Sequence, residues 1–276
     1  MSVTGGSRNI MRRNNVVVLG TGSQTIVLAH GLGCDQRIWH KVVPLLSADY
    51  RLVLFDYVGA GESDLSQYNE AKYKTLRGYA DDLLDVVECL NLDQPYLLSH
   101  SASGSIGVLA EQAAPGTFRH LLMVSPSPRY INDGTYQGGF ERSDIDALLE
   151  LMEENYFQWA NVMAATAMKN EQRPELAERL VRSFQQARPD IMLNFARAIL
   201  YSDYRAEYAE LACSVSVMQA ADDAIVPPAV SDYLVGTMQK CELYTLDAQG
   251  HYPQLSHPAE VVTLLRKILN AAVPRP

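Results

Sequence analysis

Between Tyr96 and Val108 the chain reads Tyr-Leu-Leu-Ser-His-Ser-Ala-Ser-Gly-Ser-Ile-Gly-Val. A short apolar run of strand type stops abruptly, small residues crowd a tight turn, and an apolar-periodic helix begins. That is the strand, turn and helix context a nucleophile elbow requires, with Ser101 at its apex. The usual form, G-x-S-x-G, has glycine at the flanking positions because backbone passes close to backbone there. Here both positions are serine, Ser99 and Ser103, so the elbow is degenerate and needs other residues to support it. On this stretch alone a plainer role for Ser101, as the N-cap of a helix over 102–114, stays open.

The flanking segments alternate in the same way. Val16 to Gly20 and Gln24 to His30 are β-rich runs joined by Gly20-Thr21-Gly22-Ser23, turn chemistry that predicts an antiparallel hairpin at one sheet edge. Trp39, Val42, Val43 and Leu46 repeat at helical spacing over 36–47, and Arg51 to Asp56 is a nearly all-apolar strand, as inside a parallel sheet. A helix over 76–90 carries Tyr79, Leu83, Val86 and Leu90 on one face, which leaves Asp81, Asp82 and Asp85 to a solvated surface. Another apolar strand, 120–125, follows the elbow helix. Strands alternating with helices imply an α/β fold with a mostly parallel, doubly wound sheet covered on both faces. Ligands of such sheets sit at the carboxyl ends of the strands, where the loops 30–35, 59–61 and 99–103 emerge.

From about 129 to 205 the alternation stops. Asp144 to Trp159 places Ile145, Leu148, Leu149, Met152 and Tyr156 on one stripe, and helix-like stretches over 174–187 and 190–201 follow without a good strand. The segment 129–205 reads as an inserted all-helical cap, and 1–128 with 206–276 as the core. Strand patterning resumes at Ser214 to Gln219, which runs into Asp222 and Asp223, and again at Glu242 to Leu246, which leads to Gly250-His251.

A serine hydroxyl needs a base to take its proton and an acid to orient that base. Of six histidines, His100 adjoins Ser101 and should point elsewhere, His30 belongs to the bare loop 30–35, and His40, His120 and His257 lie in or beside regular elements. His251 remains, just after the final strand. Asp222 and Asp223 both stand at a strand's carboxyl end, and the order serine, aspartate, histidine is that of α/β-hydrolases. The oxyanion hole is expected from the N–H of Ala102 and a second N–H of the bare loop, that of Leu32.

Composition narrows the function classes. A formal net charge of -9 gives no basic face for nucleic acid or anionic lipid. The stretch Met1 to Asn15 lacks the apolar core of a signal peptide, no run is long enough to span a membrane, and a cytoplasmic protein is expected. The four cysteines, Cys34, Cys89, Cys213 and Cys241, form no close pair, so neither a disulfide framework nor a zinc site is expected. No phosphate loop or His/Cys cluster calls for a metal or organic cofactor.

Several longer motifs are more specific: His30 to Gln36, Phe55 to Asp64, Ser125 to Asp133, Tyr136 to Glu141, Ser202 to Arg205 and Gly250 to Ser256. In them the chain resembles the α/β-hydrolases of the RsbQ type, a bacterial stress-signalling hydrolase whose plant relatives are the karrikin and strigolactone receptors. The resemblance covers nearly the whole chain. It implies a Ser101/His251/Asp223 triad, choosing Asp223 over Asp222 because the family's acid lies four residues before the proline matched by Pro227. It also implies a small hydrophobic pocket beneath a four-helix cap, lined by Leu32, Tyr130, Phe140, Trp159, Met163 and Leu200. The family usually has phenylalanine where Leu32 stands and glycine where Ser99 stands; the first change opens the pocket mouth, the second strains the elbow.

Two functions are compatible with this reading. One is a serine hydrolase that cleaves a small, fairly apolar ester or lactone through an acyl-Ser101 intermediate. The other is a slow-turnover ligand sensor whose cap surface binds a signalling partner protein. An inert scaffold would make three converging catalytic positions a coincidence.

Overall fold

The computed structural model describes residues 5–272. Of the polar N-terminal stretch, residues 1–4 lie outside the described residues, while α1 (Gly5–Arg13) is a short helix that the sequence did not announce. In chain order there follow β1 (Val17–Leu19), β2 (Thr25–Ala29), α2 (Val43–Leu46), β3 (Arg51–Leu54), α3 (Leu76–Cys89), β4 (Tyr96–His100), α4 (Ala102–Ala113) and β5 (His120–Val124). Next come five helices, α5 (Arg142–Glu154), α6 (Tyr156–Met168), α7 (Pro174–Gln186), α8 (Pro189–Leu200) and α9 (Arg205–Ala209). The chain closes with β6 (Val215–Asp222), α10 (Pro228–Thr237), β7 (Cys241–Gln249), α11 (Pro253–Ser256) and α12 (Pro258–Ala272). None of the described helices is long and apolar enough to cross a membrane.

The strands form one sheet in the order β1-β3-β2-β4-β5-β6-β7, parallel throughout except for β1. Strands β2, β4 and β5 are almost wholly buried, as their unbroken apolar runs require. Helix α3 packs on α4, and α12 reaches α2. The winding reverses between β2 and β4, so the loops leaving these neighbours diverge and open a crevice. Register then decides which residues meet. Ala29 pairs with Ser99, which sets Gly31 beside Ser101, and Asp222 pairs with Gln249, which sets Asp223 beside His251.

Four sequence expectations change. The runs of β1 and β2 do not form a hairpin: β1 is the antiparallel edge strand, but its partner is β3. The glycines between them serve close approach instead, since a Cβ on Gly20 would lie 2.2 Å from the Tyr50 carbonyl oxygen and one on Gly22 2.1 Å from that of Asp49. The helix over 36–47 splits into a 3-10 turn at Gln36–Trp39 and α2, because Pro44 at the start of α2 cannot continue a preceding helix. The stripe over 144–159 belongs to two helices, α5 and α6, divided at Asn155, whose side chain accepts the Gln158 N–H at 3.0 Å.

Finally, Asp82 is not solvated but fully buried. Its carboxylate takes the Tyr73 hydroxyl at 3.0 Å, the Lys72 ammonium at 2.7 Å and the Arg13 guanidinium at 3.3 Å. The buried face of α3 therefore includes a paired carboxylate beside its aliphatic and aromatic residues.

The helices between β5 and β6 form a segment whose two ends meet. Arg129 and Asp203 share a β-bridge and an ion pair at 2.6 Å, and Arg205 binds both Asp203 and Asp133. Within it α5 packs on α6 and α8, and α6 on α7. Removing one member of a buried ionic group leaves the others uncompensated, so Asp82→Ala is expected to lose about 3 kcal/mol of unfolding free energy, measured by urea titration.

Candidate active site

Strand β4 ends at His100 and α4 begins at Ala102, leaving Ser101 alone at the bend with φ 55° and ψ -123°. A non-glycine residue held there stores about 1–3 kcal/mol, so its neighbours must hold it. The Ser101 N–H donates to the Val124 carbonyl at 2.9 Å, and the Ser101 carbonyl accepts the Gly104 N–H at 2.9 Å. The two serines that replace the expected glycines both find partners. Ser103 donates its hydroxyl to the His30 carbonyl and lies 3.0 Å from the Tyr57 hydroxyl, while the Ser99 hydroxyl reaches the Leu122 carbonyl at 3.4 Å.

Ser101 Oγ lies 2.8 Å from His251 Nε2, and His251 Nδ1 lies 2.8 Å from Asp223 Oδ2. All three residues are buried. The other oxygen of Asp223 accepts the N–H groups of Ile225 at 2.8 Å and Val226 at 3.0 Å. Burial alone would raise the pKa of this carboxyl, but His251 and the two N–H donors outweigh it and hold Asp223 below the usual carboxylate range. Asp222, the other aspartate open on spacing, is exposed and turns away to pair with Lys169.

Leu32 lies in the loop after β2 and Ala102 is the first residue of α4, on either side of Ser101. A Cβ on Gly31 would stand 2.8 Å from His100 Nδ1 and 3.2 Å from Ser101 Cβ, so this backbone must stay bare. Its far side is tied down by Asp56, whose two oxygens accept the Gln36 N–H at 2.8 Å, the Glu62 N–H at 3.0 Å and the Asn15 amide at 2.8 Å. The sequence reading missed Asp56 as an anchor, although one acid ending an apolar strand was the available signal. Cys34 in the same loop is buried beside Tyr252, and burial pushes its thiol up to about 12, which keeps it protonated.

Above Ser101 and His251 opens a largely apolar cavity of about 610 Å³, counted out to its mouth. Leu32, Tyr130, Phe140, Trp159, Met163 and Leu200 all stand on its wall. So do residues the sequence reading did not single out, among them Met152, Phe184, Ile199, Ile225 and Tyr252. Met152, Phe184 and Ile199 carried only the signal of an amphipathic helix, which does not distinguish a cavity wall from a packed core, and Ile225 and Tyr252 lie in loops whose direction local pattern does not set. The Tyr130 hydroxyl sits 3.4 Å from Ser101 Oγ, and burial lifts its pKa well above the usual phenol range, so it faces the site as a neutral donor.

His100 does more than point elsewhere. Its Nε2 lies 2.8 Å from the carbonyl of His251, and the two rings are 4.9 Å apart. That bond requires the proton on Nε2. Burial, and next the neighbouring His251, depress the pKa of His100 to about 3.

The fold agrees with the comparisons. Residues 26–264 match the model of the alpha/beta hydrolase family. The chain belongs to that family. A karrikin insensitive 2 receptor of Petunia hybrida is 38% identical over 258 residues, covering 93% of this chain and 96% of the relative. A strigolactone esterase of Arabidopsis thaliana is 37% identical over 262 residues, covering 95% and 98%. Among solved structures, a hydrolase from Oleispira antarctica superposes with a TM-score of 0.93 at 32% identity, covering 96% of this chain and 97% of that one.

The state of His100 gives this alpha/beta hydrolase a pH signature. The unfolded chain takes up a proton on residue 100 near the ordinary histidine value of 6.5, and the folded chain, where burial penalises the charged ring, at about 3. The stabilising contribution of a neutral His100 is therefore full above about pH 6.5 and is lost progressively as pH falls toward 3. His100→Asn, which keeps an N–H donor but does not titrate, is expected to show a shallower fall of Tm between pH 6.5 and 4 than the parent, measured by calorimetry.

Proposed function

We propose that this chain hydrolyses a small, largely apolar ester or lactone through an acyl-Ser101 intermediate. The observation that carries the proposal is the unbroken relay of 2.8 Å contacts from Ser101 through His251 to Asp223, set in the floor of an apolar cavity. In this reading Nε2 of His251 takes the Ser101 proton as Oγ bonds to the substrate's carbonyl carbon. The N–H groups of Leu32 and Ala102 receive the resulting oxyanion, each worth about 3–4 kcal/mol of barrier. Collapse breaks the bond to the leaving oxygen, which takes the proton from His251. Water then enters and bonds its oxygen to the acyl carbon as Nε2 takes one of its protons, and breakage of the bond to Oγ releases the acid while Nε2 returns the proton to Ser101. Asp223 stays ionised and holds the imidazole with its proton on Nδ1, a role its lowered pKa supports.

The substrate class follows from the wall. Tyr130, Phe140, Trp159, Met163 and Leu200 offer apolar surface, and Trp159 carries a buried indole N–H with no protein partner among the described residues. An uncharged ligand of modest size with one hydrogen-bond acceptor suits such a cavity. The segment 129–205 then acts as a cap over a core of 1–128 and 206–276, since its helices supply most of that wall.

A second reading is favoured by the likeness to a karrikin receptor. In it turnover is slow, ligand occupancy is the signal, and a partner protein reads the surface of α6, where Phe157 is 63% and Val162 48% exposed.

A fluorophosphonate should label the wild type, and Ser101→Ala should abolish both labelling and hydrolysis of a short-chain aryl ester. Labelling that survives in Ser101→Ala removes the nucleophile assignment, and turnover near background with ligand-dependent thermal shifts favours the sensor. Asp223→Asn is expected to lower kcat by about 10⁴, the scale of the same change in serine proteases. Asp222→Asn should cost far less, and the reverse result in steady-state kinetics would identify Asp222 as the acid.

A further inference from the structure

The backbone of His251 is held from two directions. Its carbonyl accepts from His100, and its N–H donates to the Ala167 carbonyl at 2.7 Å, near the C-terminus of α6. The second bond joins the loop of the proposed general base to the helical segment above the sheet.

The turn that follows α6 extends this junction. Lys169 and Asn170 take positive φ, 52° and 43°, which carries the chain down onto the loop after β7. Asn170 is buried, and its amide donates to the carbonyls of Met168 at 2.7 Å and Gln249 at 2.8 Å. Its oxygen accepts from the guanidinium of Arg173, which donates in turn to the Ser256 carbonyl at 2.8 Å. Two side chains of one turn therefore grip the loop on both flanks of His251. Lys169 pairs with Asp222, the residue before Asp223, and the Gly250 N–H donates to the Asp222 carbonyl at 2.8 Å. So the same turn reaches the strand ends that carry both the acid and the base. A Cβ on Gly250, whose φ is +84°, would lie 2.1 Å from the Met168 carbonyl oxygen, so only glycine allows this approach.

We infer that the turn 169–173 positions His251 against Ser101, with Asn170 and Arg173 as the positioning residues. The claim rests on the serine-hydrolase reading above and deepens it: the helical segment sets the relay as well as the cavity. Of the bonds just named that hold the loop around His251, three come from that segment, through Ala167, Asn170 and Arg173. Displacing α6 to admit substrate or release product draws these anchors away, so the relay is complete only when the segment is seated. Misplacing a catalytic group by about 1 Å can cost about a hundredfold in rate, and a rate term of this kind acts on the chemical step more than on binding.

Arg173→Ala and Asn170→Ala are expected to lower both kcat for a short-chain aryl ester and the rate of fluorophosphonate labelling of Ser101 by about ten- to a hundredfold, with KM changed by less than about twofold. Arg173→Lys, which keeps a cationic donor on a long side chain, should recover part of the loss. Arg197→Ala, which breaks the surface pair with Glu153 in the same segment, should keep wild-type rates. Should the buried Asn170→Ala not fold, Arg173→Ala decides alone. Wild-type kcat and labelling in folded Arg173→Ala overturn the inference, as does a rise in KM at constant kcat, even if Tm falls. Nitrogen-15 NMR of the His251 ring separates this from failure of the parent reading. A wild type that never labels disproves the serine-hydrolase mechanism, and the positioning claim then stands if the His251 ring signals shift or broaden in Arg173→Ala and falls if they do not.

Discussion

Ser101 occupies a backbone conformation that no L-residue adopts freely, and much of the surrounding structure exists to keep it there. The hydrogen bond to the Val124 carbonyl ties its N–H to the neighbouring strand, and that to the Gly104 N–H starts the next helix. Ser103 fastens the first turn of α4 to the carbonyl of His30. The elbow and the bare glycine loop are therefore one hydrogen-bonded unit. Serine at positions 99 and 103 adds hydroxyls that reach the buried carbonyls of Leu122 and His30, partners that glycine would lack.

The polar atoms of the site are arranged so that each member of the proposed relay has one free direction. Asp223 spends one oxygen on two backbone N–H groups and turns the other to His251. His251 has its N–H and carbonyl engaged by Ala167 and His100, leaving the ring to connect Asp223 and Ser101. Because every other valence is occupied, the imidazole has little reason to rotate, and the low dielectric of a buried site strengthens the contacts that remain. The cavity above supplies the opposite quality, a wall with few polar atoms.

Much of this was legible in the residues. The order serine, aspartate, histidine and the placement of each at a strand's carboxyl end needed only alternation and turn chemistry. What could not be read was partnership across space. The glycines at 20 and 22 carry the same local signal whether they close a hairpin or admit a neighbouring carbonyl, and only the insertion of β3 between β1 and β2 decides. Asp82 looked like one of three surface acids because its partners, Arg13 and Tyr73, come from separate segments. His100 was set aside on sequence adjacency, yet the feature that matters is the carbonyl it reaches 151 residues later.

The amino-acid sequence by itself determined the period of each element, the α/β class, the position of the elbow and the residue types available to its chemistry, since these depend on local sterics and on which faces are apolar. Tertiary structure decided what local pattern left open: that Asp223 and not Asp222 faces the histidine, as the family resemblance implied, which residues beyond the six that resemblance named line the cavity, and how the turn 169–173 grips the loop of His251. Those outcomes depend on strand register and on contacts between segments distant in the chain, where a shift of one residue reverses the direction of every side chain.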